Sequence, residues 1–296
     1  MRIFVTGGTG FVGKVLAEKL IGAGHEVTLL VRMGSEQKVH SSGIRFSYGD
    51  VLDLTTLKIG LRSQEAVIHL VGIIREFPHR GITFQRLHVQ ATRNVVDAAT
   101  AQGIHRYLHM SALGSRPNAV SQYHQTKYQA EEIVRQSSLD YTIFRQSVIF
   151  GKEDGFVNLF AGMIQKIPLI PAIGGGKSKL QPIAVEDAAE GFVQALSHPN
   201  TIGKTYELGG PKDYTLSQLL DRIAHAMNRT MIKIPVPFWY MNALASLFEY
   251  FPWFPVSRDQ LIMLKENNTC DPTPFAQTFG ISLTPFEEGI RTYVTH

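Results

Sequence analysis

The sequence predicts an α/β fold: a doubly wound parallel sheet with a smaller, interleaved C-terminal α/β domain. The chain opens with an apolar stretch that runs into a glycine-rich turn and a helical pattern. Apolar runs then alternate with helical patterns, as they do in β-α-β units. Beyond residue 150 this alternation gives way to shorter, loop-rich segments. The strands predicted in the first half cover residues 1–5, 26–31, 44–48, 66–71 and 106–110.

The first thirteen residues, MRIFVTGGTGFVG, carry the strongest local signal. Met1 to Val5 is typical of a buried strand, and Gly7, Gly10 and Gly13 form a G-x-x-G-x-x-G turn before a helix. Such glycines let the backbone turn tightly and approach a pyrophosphate, whose charge is held by free N–H groups at the positive end of the helix. An ordinary tight turn has the same composition, but the flanking strand and helix favour nucleotide binding.

The end of the second predicted strand indicates which dinucleotide is bound. In dinucleotide-binding folds this position faces the adenosine ribose, where a carboxylate accepts the 2′-hydroxyl of NAD and a cation accommodates the 2′-phosphate of NADP. Arg32 stands here, and no carboxylate follows it until Glu36. The sequence therefore favours NADP(H), with NAD(H) as the alternative. A solvated loop cation is the other interpretation of Arg32.

Two more strand ends are expected to line the same site. Asp50 and Val51 follow the third predicted strand, and Val71 and Gly72 close the fourth. Ligands sit at the carboxyl ends of parallel strands, so we place the first pair near the adenine and the second near the pyrophosphate and ribose. Asp50 could equally cap the next turn.

A second group of candidate residues follows the fifth predicted strand, which delivers Ser111. Tyr123 and Lys127 lie four residues apart on the next predicted helix, so both side chains point the same way into the cofactor crevice. A neighbouring cation favours the phenolate and lowers the pKa of a tyrosine towards values useful for proton transfer. Ser111 could hydrogen-bond a substrate carbonyl beside them. The pair also arises by chance on half-exposed helices, but the order of these parts favours a site.

These motifs resemble the short-chain dehydrogenase/reductase superfamily, on its extended and atypical side, where the NAD-dependent epimerases and dehydratases belong. The matching segments cover nearly the whole chain: TGGTGFVG, HLVG, HVQATRNVVDAA, YHQTK, YTIFRQSVIFG, QPIAVEDAA and YELGGPKDYTLSQLLDRIAHAMNR. HLVGIIREFP, the short interval from Ser111 to Tyr123, and the aromatic C-terminal segment look most like the nucleotide-binding accessory subunit of respiratory complex I and its bacterial relatives.

The resemblance implies a role for each matching residue. Tyr123 would be the general acid/base, Lys127 would orient the nicotinamide ribose and depress the tyrosine pKa, and Ser111 would polarise the substrate. The interval from Ser111 to Tyr123 is shorter than in the sugar-nucleotide enzymes, and Gln146 stands where a proline is usual. The full set of expected cofactor-binding residues is Gly7, Thr9, Gly10, Phe11, Val12, Gly13, Arg32, Asp50, Val51, Val71, Gly72, Lys127 and Ser147.

The resemblance implies an NADP(H)-binding oxidoreductase that acts on a carbonyl or alcohol of a small substrate. The complex I branch holds NADPH without an established turnover, so a non-catalytic NADPH-binding scaffold or assembly factor is the first alternative. A nucleotide-sugar epimerase or dehydratase is the second. Arg32 argues against it, because that chemistry keeps NAD(H) bound through the cycle.

We expect a dinucleotide-binding domain over residues 1–150 and a smaller substrate or partner domain over 151–296, with part of 182–209 returning to the first. Residues 234–256 contain both tryptophans and four prolines, and are too interrupted to span a membrane. A buried helix between Pro237 and Pro252 is the preferred interpretation. An exposed aromatic patch that docks on a respiratory complex or a membrane surface is the alternative.

Composition argues against several other classes. The formal net charge of the 296 residues is +4, without a run of lysines and arginines, so no nucleic-acid partner is indicated. Cys270 is the only cysteine, which excludes an internal disulfide. No H-E-x-x-H motif or Cys/His cluster predicts a metal site. The N-terminus does not resemble a signal peptide, so we expect a cytoplasmic location, peripheral to the membrane if the aromatic segment docks there.

Overall fold

The computed structural model describes residues 1–39, 41–251 and 253–294. Its strands are β1 (Arg2–Thr6), β2 (Glu26–Val31), β3 (Ile44–Tyr48), β4 (Ala66–His69), β5 (Arg106–Ala112), β6 (Asp140–Gln146), β7 (Ile149–Phe150), β8 (Leu169–Ile173), β9 (Lys179–Leu180), β10 (Ile183–Ala184), β11 (Lys204–Leu208), β12 (Tyr214–Thr215) and β13 (Ile232–Val236).

Its α-helices are α1 (Phe11–Gly22), α2 (Leu54–Gly60), α3 (Ala91–Ala101), α4 (Gln122–Arg135), α5 (Val157–Lys166), α6 (Val185–Leu196), α7 (Leu216–Ala226), α8 (Phe238–Phe248), α9 (Arg258–Leu264), α10 (Thr273–Phe279) and α11 (Phe286–Arg291). A π-helical segment, Gln85–Gln90, leads into α3. Short 3₁₀ turns cover Glu36–Lys38, Pro78–Arg80, Gly174–Gly176 and Pro199–Thr201.

The main sheet has seven strands in the order β3-β2-β1-β4-β5-β6-β11, and every neighbouring pair is parallel. Side chains alternate across it, as the pleat requires. Ile3 and Val5 pack in one core with α1 and α6, whereas Phe4 packs in another with α2, α3 and α4. The predicted doubly wound parallel fold is confirmed. The strand order reverses direction between β1 and β4, which opens a crevice at their carboxyl ends.

The second half of the chain builds a separate core and also returns to the sheet. Residues of α5, α7 and α11 pack around Phe150 and Ile170, and β8 pairs in parallel with β13. Between these parts, α6 packs against α1, and β11 becomes the outermost strand beside β6. We keep the domain limits at residue 150 as a prediction.

The aromatic segment contains the expected helix, α8, but that helix is not buried. Met241 and Ala245 are its buried residues, whereas Trp239 is 73% exposed and Leu247 is 69% exposed. The preferred interpretation of a buried helix is therefore wrong, because only one stripe of α8 is covered by the elements packed against it. Pro252, the predicted downstream limit, lies outside the described residues.

Candidate functional site

The turn between β1 and α1 brings the main chain close to two neighbours. Gly7 has φ +77°, and a Cβ there would lie 3.0 Å from the carbonyl carbon of Leu70 after β4. A Cβ at Gly13 would collide with the carbonyl oxygen of Gly7 and come within 2.6 Å of the Cα of Gly8. These positions therefore need glycine for space, and Gly7 also needs it for its backbone conformation.

The start of α1 is prepared for an anion. Gly10 precedes the helix, no side chain caps it, and its first turn contains no carboxylate. The first N–H groups of a helix have no partner within the helix, and they lie at the positive end of its dipole. A phosphate placed here would satisfy both.

A cleft of about 390 Å³ extends from this turn along the carboxyl ends of the sheet strands. The predicted residues that line it are Gly7, Thr9, Gly10, Phe11, Val12, Gly13, Arg32, Asp50, Val51, Val71 and Gly72. Leu30, Leu87 and Met110 add apolar walls. The structure thus brings together in one cavity the residues that were expected on four separate strand ends. Their role as cofactor ligands stays a prediction.

Arg32 lies at the rim of this cleft, directly after β2, and its side chain is exposed. The N–H of Ser35 donates to the carbonyl of Arg32 at 2.8 Å, which closes a turn and puts Ser35 into the cleft wall as well. Within residues 1–39, 41–251 and 253–294, no carboxylate forms an ion pair with Arg32. Its charge is therefore free to meet an anionic ligand.

Asp50 serves a local turn while it lines the cleft. Its Oδ1 accepts a hydrogen bond from the N–H of Leu52 at 2.9 Å. Asp53, three residues later, caps α2 through a bond from the N–H of Thr55 at 2.8 Å. The two interpretations of Asp50 are thus compatible, because its other carboxylate oxygen is not used in that turn.

Lys127 lies against the cofactor cleft from the α4 side. Its side chain is buried, and Nζ donates to the carbonyl of Met110 at 3.0 Å. A Cβ built at Gly72 would come within 2.8 Å of the same Nζ, so the absent side chain at position 72 makes room for the amine. Burial lowers the pKa of Lys127 to about 8, against the opposing effect of Glu131.

Tyr123 is packed among aromatic rings rather than opened to the cleft. Its ring lies edge-on to Phe84 at 5.8 Å and to His88 at 5.4 Å between centroids. Burial, and then the charge of Asp259, raise the pKa of Tyr123 to about 12. The expected lowering of the tyrosine pKa by Lys127 is therefore wrong for this structure. Asp259 acts there because it accepts hydrogen bonds from the N–H groups of Gln122 and Tyr123 at 2.7 and 3.0 Å.

Ser111 does not have the role predicted for it. It lies within β5 rather than after it, is buried, and donates its hydroxyl hydrogen to Oε1 of Glu131 at 2.5 Å. Glu131 is fully buried and also bonds Arg135 and Arg145, each at 2.7 Å. A hydroxyl has one hydrogen to donate, so Ser111 has none left for a substrate carbonyl.

The predicted cofactor contact of Ser147 stays a prediction. Its hydroxyl donates to Oδ1 of Asn268 at 2.6 Å, and its N–H donates to the carbonyl of Leu208. It is not among the residues that line the cleft. The side chain instead ties the end of β6 to the C-terminal part of the chain.

A family model described as the NAD dependent epimerase/dehydratase family matches residues 3–209. The chain belongs to this family. The match covers the glycine turn, the cleft and α4, and ends just after β11. The resemblance predicted to the extended side of the short-chain dehydrogenase/reductase superfamily is confirmed.

Relatives of this family member include respiratory and photosynthetic proteins. It is 29% identical over 293 residues to the mitochondrial NADH dehydrogenase [ubiquinone] 1 alpha subcomplex subunit 9 of Mus musculus, covering 96% of this chain and 77% of that one. It is 26% identical over 259 residues to the Photosystem II assembly factor Ycf39 of Guillardia theta, covering 84% and 79%. The predicted similarity to the complex I accessory subunit is thus confirmed.

A solved epimerase shares the fold. The UDP-glucose 4-epimerase of Thermus thermophilus, solved in complex with NAD, superimposes with a TM-score of 0.77 at 20% identity and covers 99% of this chain and 98% of that one. At this identity the likeness shows the fold alone.

A second cavity of about 400 Å³ lies near Tyr123 and was not predicted. Its wall includes Arg75, Phe84, Gln122, Tyr250 and Asp259. These residues come from distant parts of the sequence, so no local pattern identifies them. His88 lies between the two cavities, because its Nε2 is hydrogen-bonded to the backbone of Ile73 in the first wall and its ring stacks on Phe84 in the second. The signal for His88 in the sequence is its place at the start of the helical motif HVQATRNVVDAA.

Two other kinds of feature are absent from the part of the chain that the structure describes. None of its helices is long and apolar enough to cross a membrane. That part also contains no group of three or more histidines, cysteines and carboxylates able to hold a metal ion.

Proposed function

We propose that this family member binds NADP(H) in the cleft of about 390 Å³ and holds it as a resident ligand. The observation that carries the proposal is Arg32, an exposed guanidinium that forms no ion pair with a described residue and lies at the rim of a glycine-lined cleft. In this fold a cation at the end of the second strand accommodates a 2′-phosphate. NADP(H) is therefore favoured over NAD(H), which stays the alternative.

The residues present fit a dinucleotide along the length of the cleft. The uncapped start of α1 would hold the pyrophosphate through its N–H groups, where Gly13 leaves no side chain in the way. Arg32, with Ser35 beside it, would hold the 2′-phosphate. Gly72 and Met110 line the wall near β4 and β5, and the amine of Lys127 lies beside them, where it would orient the nicotinamide ribose. When bound, the cofactor supplies hydride-transfer chemistry at its nicotinamide ring.

Retention without turnover is supported by the state of the catalytic candidates. A general acid/base works best when its pKa is near the operating pH, whereas burial and Asp259 raise the pKa of Tyr123 to about 12. Ser111 is engaged with Glu131. The relatives among complex I subunits and assembly factors suit a protein whose cofactor serves structure or sensing.

An NADP(H)-dependent reductase is the second candidate. It is favoured by the spacing of Tyr123 and Lys127 on α4 and by the cavity of about 400 Å³ whose wall contains Phe84, the neighbour of the tyrosine ring. A substrate in this cavity would be a small carbonyl or alcohol. Tyr123 would then move a proton at the substrate oxygen.

Cofactor choice is tested by titrating the protein with NADPH and NADH while following reduced-nicotinamide fluorescence. The variant is Arg32→Ala, and the matched control is Arg62→Ala, another exposed arginine, which lies away from the cleft. We expect the NADPH affinity to fall about 10- to 100-fold in the first variant, because a hydrogen bond to a charged group contributes about 1.5–3 kcal/mol. NADH affinity should not change, and the control should match the wild type.

Equal binding of NADH and NADPH to the wild type would refute the assignment of Arg32. Before titration, denatured protein is assayed for released nicotinamide cofactor, so that a filled site is not mistaken for one that cannot bind.

Turnover is tested by mixing the NADPH-loaded protein with a panel of aldehydes and ketones and following nicotinamide absorbance. The proposal expects no oxidation above the rate without protein. The wild type could instead oxidise NADPH, and Tyr123→Phe could abolish that oxidation without changing the NADPH affinity. This result would refute retention without turnover and support the reductase.

The partner half of the proposal concerns residues 234–256. The complex I relatives suggest association with a respiratory complex or with the membrane that contains one, at the periphery of that membrane. The exposed aromatic residues of α8 support docking through this segment. None of its described residues lines the cleft of about 390 Å³, so docking and dinucleotide binding can be tested separately.

A further inference from the structure

The strongest feature outside the clefts is an exposed aromatic surface formed by α8 and the turn that follows it. We call the side chains of Trp239, Tyr240, Leu247, Phe251 and Trp253 the aromatic surface. Their exposed fractions are 73, 47, 69, 50 and 67%. Both tryptophans of the chain lie here. Single exposed apolar residues are ordinary, but a group of this size marks an interaction site.

The exposure follows from how α8 packs. Met241 and Ala245 lie on its inner side in a small core with Phe254 and Leu261. Trp239, Ala243 and Leu247 follow one another at four-residue spacing, so they form the opposite, outward stripe. The strand that leads into α8 continues the pattern, since Ile232 of β13 is 63% exposed. Its partner Leu169 on β8 is exposed as well.

Three cations around this surface are exposed and unpaired among the described residues. Residues 155–185 and 222–248, which contain β8, β13 and α8, hold six lysines and arginines, and carboxylates stand directly outside both segments. Three of the six, Lys179, Arg222 and Lys233, pair with carboxylates. Lys166, Lys177 and Arg229 are exposed and form no ion pair with the residues that the structure describes. Lys265 adds a cation 5.5 Å from the centre of the Phe238 ring.

Lys166, Lys177 and Arg229 each lie in the sequence beside β8 or β13, the paired strands of which the second leads into α8. Lys166 and Arg229 precede β8 and β13, whose first residues Leu169 and Ile232 are paired in register. Lys177 comes three residues after Gly174, which packs on the ring of Phe238 at the start of α8. The remaining lysines of the two segments, Lys179 and Lys233, are paired with Asp213 and Asp221.

We propose that the aromatic surface seats this protein on a lipid bilayer that carries anionic headgroups. Tryptophan and tyrosine favour the depth of the headgroups, where the ring is in an apolar layer and its polar atom is hydrated. Exposed lysines and arginines around them meet the phosphates, and the attraction adds to that from apolar burial. The inference rests on the docking half of the proposed function and not on cofactor binding.

The unpaired cations Lys166, Lys177 and Arg229 favour a bilayer over a second copy of this chain. A symmetric dimer would place the same surface on both sides and bring like cations together. Like charges facing one another across an interface cost free energy. An anionic membrane surface instead complements each of these three cations.

The proposal is tested by sedimenting the full-length protein with vesicles of phosphatidylcholine, alone or mixed with phosphatidylglycerol. Intrinsic tryptophan emission is a second readout, because both tryptophans are in the aromatic surface and will shift to the blue on insertion. We expect clear binding to the mixed vesicles, weakened by salt, and at least about 10-fold weaker binding to phosphatidylcholine alone.

Two variants separate the contributions. Lys166→Gln with Lys177→Gln and Arg229→Gln should weaken binding to the mixed vesicles about 100-fold, on the usual contribution of each basic residue near an anionic membrane. Leu247→Ser should reduce binding and the blue shift together. The matched controls are Lys58→Gln and Ile59→Ser, an exposed cation and an exposed apolar side chain of α2, and both should bind as the wild type does.

Three outcomes would overturn the proposal. They are absence of binding to either kind of vesicle, equal binding to both kinds, and a dimer in solution that Leu247→Ser dissociates, which would make a second copy the occupant. The NADPH titration is measured without vesicles, so a failure here leaves the cofactor assignment standing.

Discussion

Two neighbouring regions at the carboxyl edge of the sheet satisfy their polar groups in opposite ways. In the cofactor cleft, the start of α1 is uncapped and Arg32 forms no ion pair with a described residue. In the region around α4, Ser111 donates to Glu131, and Lys127 donates to the carbonyl of Met110. The first region offers donors and charge at an open surface, while Ser111 and Glu131 in the second are bonded to one another.

This difference separates binding from catalysis in a way that motifs alone do not. A polar group without a partner is costly when buried, so a site that awaits a ligand must be open, as the cleft is. A buried network with every member bonded is rigid and stable without a ligand. The glycine turn therefore has the features of a receptor, whereas the group around Glu131 has the features of a structural support.

The largest expected effect comes from removing the carboxylate of Glu131, to which Ser111, Arg135 and Arg145 are bonded. Glu131→Ala should lower the free energy of unfolding by about 3 kcal/mol, because it leaves Arg135 and Arg145 without their shared buried carboxylate. The value is at the lower end of the range for buried pairs, since both arginines keep some contact with solvent. Denaturant unfolding measures it. Glu132→Ala is the control and should cost less than about 1 kcal/mol, because that carboxylate is exposed. A similar cost for both variants would contradict the structural role of Glu131.

A second prediction concerns the glycine turn between β1 and α1. Gly13→Ala should weaken NADPH binding by about 100-fold or more, because the new methyl group has to displace the backbone of Gly7 and Gly8. Isothermal titration measures the affinity. Gly22→Ala is the control: it lies in the same helix with nothing within 4 Å of the added atom, and should leave the affinity unchanged. Unchanged binding in Gly13→Ala would mean that the dinucleotide does not use this turn.

The smallest effect follows from the lowered pKa of Lys127. Between pH 8 and its ordinary pKa of 10.5, the unfolded chain keeps a proton that the folded protein has released. The unfolded state therefore binds more protons, and stability from this group rises with pH by up to about 1.4 kcal/mol per unit in that window. Below pH 8 the contribution is constant.

Unfolding free energies of the wild type and Lys127→Met between pH 7 and 10 test this. The difference between the two should stay flat up to about pH 8 and then move in favour of the wild type. Lys58→Met, which changes an exposed lysine, should show no such bend. A difference that stays flat up to pH 10 would mean that folding does not lower the pKa of this amine.

The sequence alone predicted the parallel sheet and the residues of the cleft, because their signals are local. Gly7, Gly10 and Gly13 are adjacent to their strand and helix, and Arg32 directly follows β2. The fold then gathers the strand ends by a general rule of parallel sheets. No partner from a distant part of the chain is needed to recognise these positions.

The errors all arise from contacts between distant residues. The pKa of Tyr123 is raised by burial and then by the charge of Asp259, a residue far along the chain. Ser111 is bonded to Glu131, which two arginines hold in place. The burial of α8 could not be read from its composition, because an apolar helix becomes a surface wherever no other element covers it.

The glycine turn bears on how a protein of this kind could change between NADP(H) and NAD(H) as its cofactor. Main-chain N–H groups and missing side chains form the pyrophosphate end of the cleft, so affinity for a dinucleotide in general is inherited with the fold. On the proposed binding mode, the choice between phosphorylated and unphosphorylated cofactor belongs to Arg32, an exposed side chain that supports no core contact. A related protein could therefore change its preferred cofactor through substitution of that one residue, with no change to the fold.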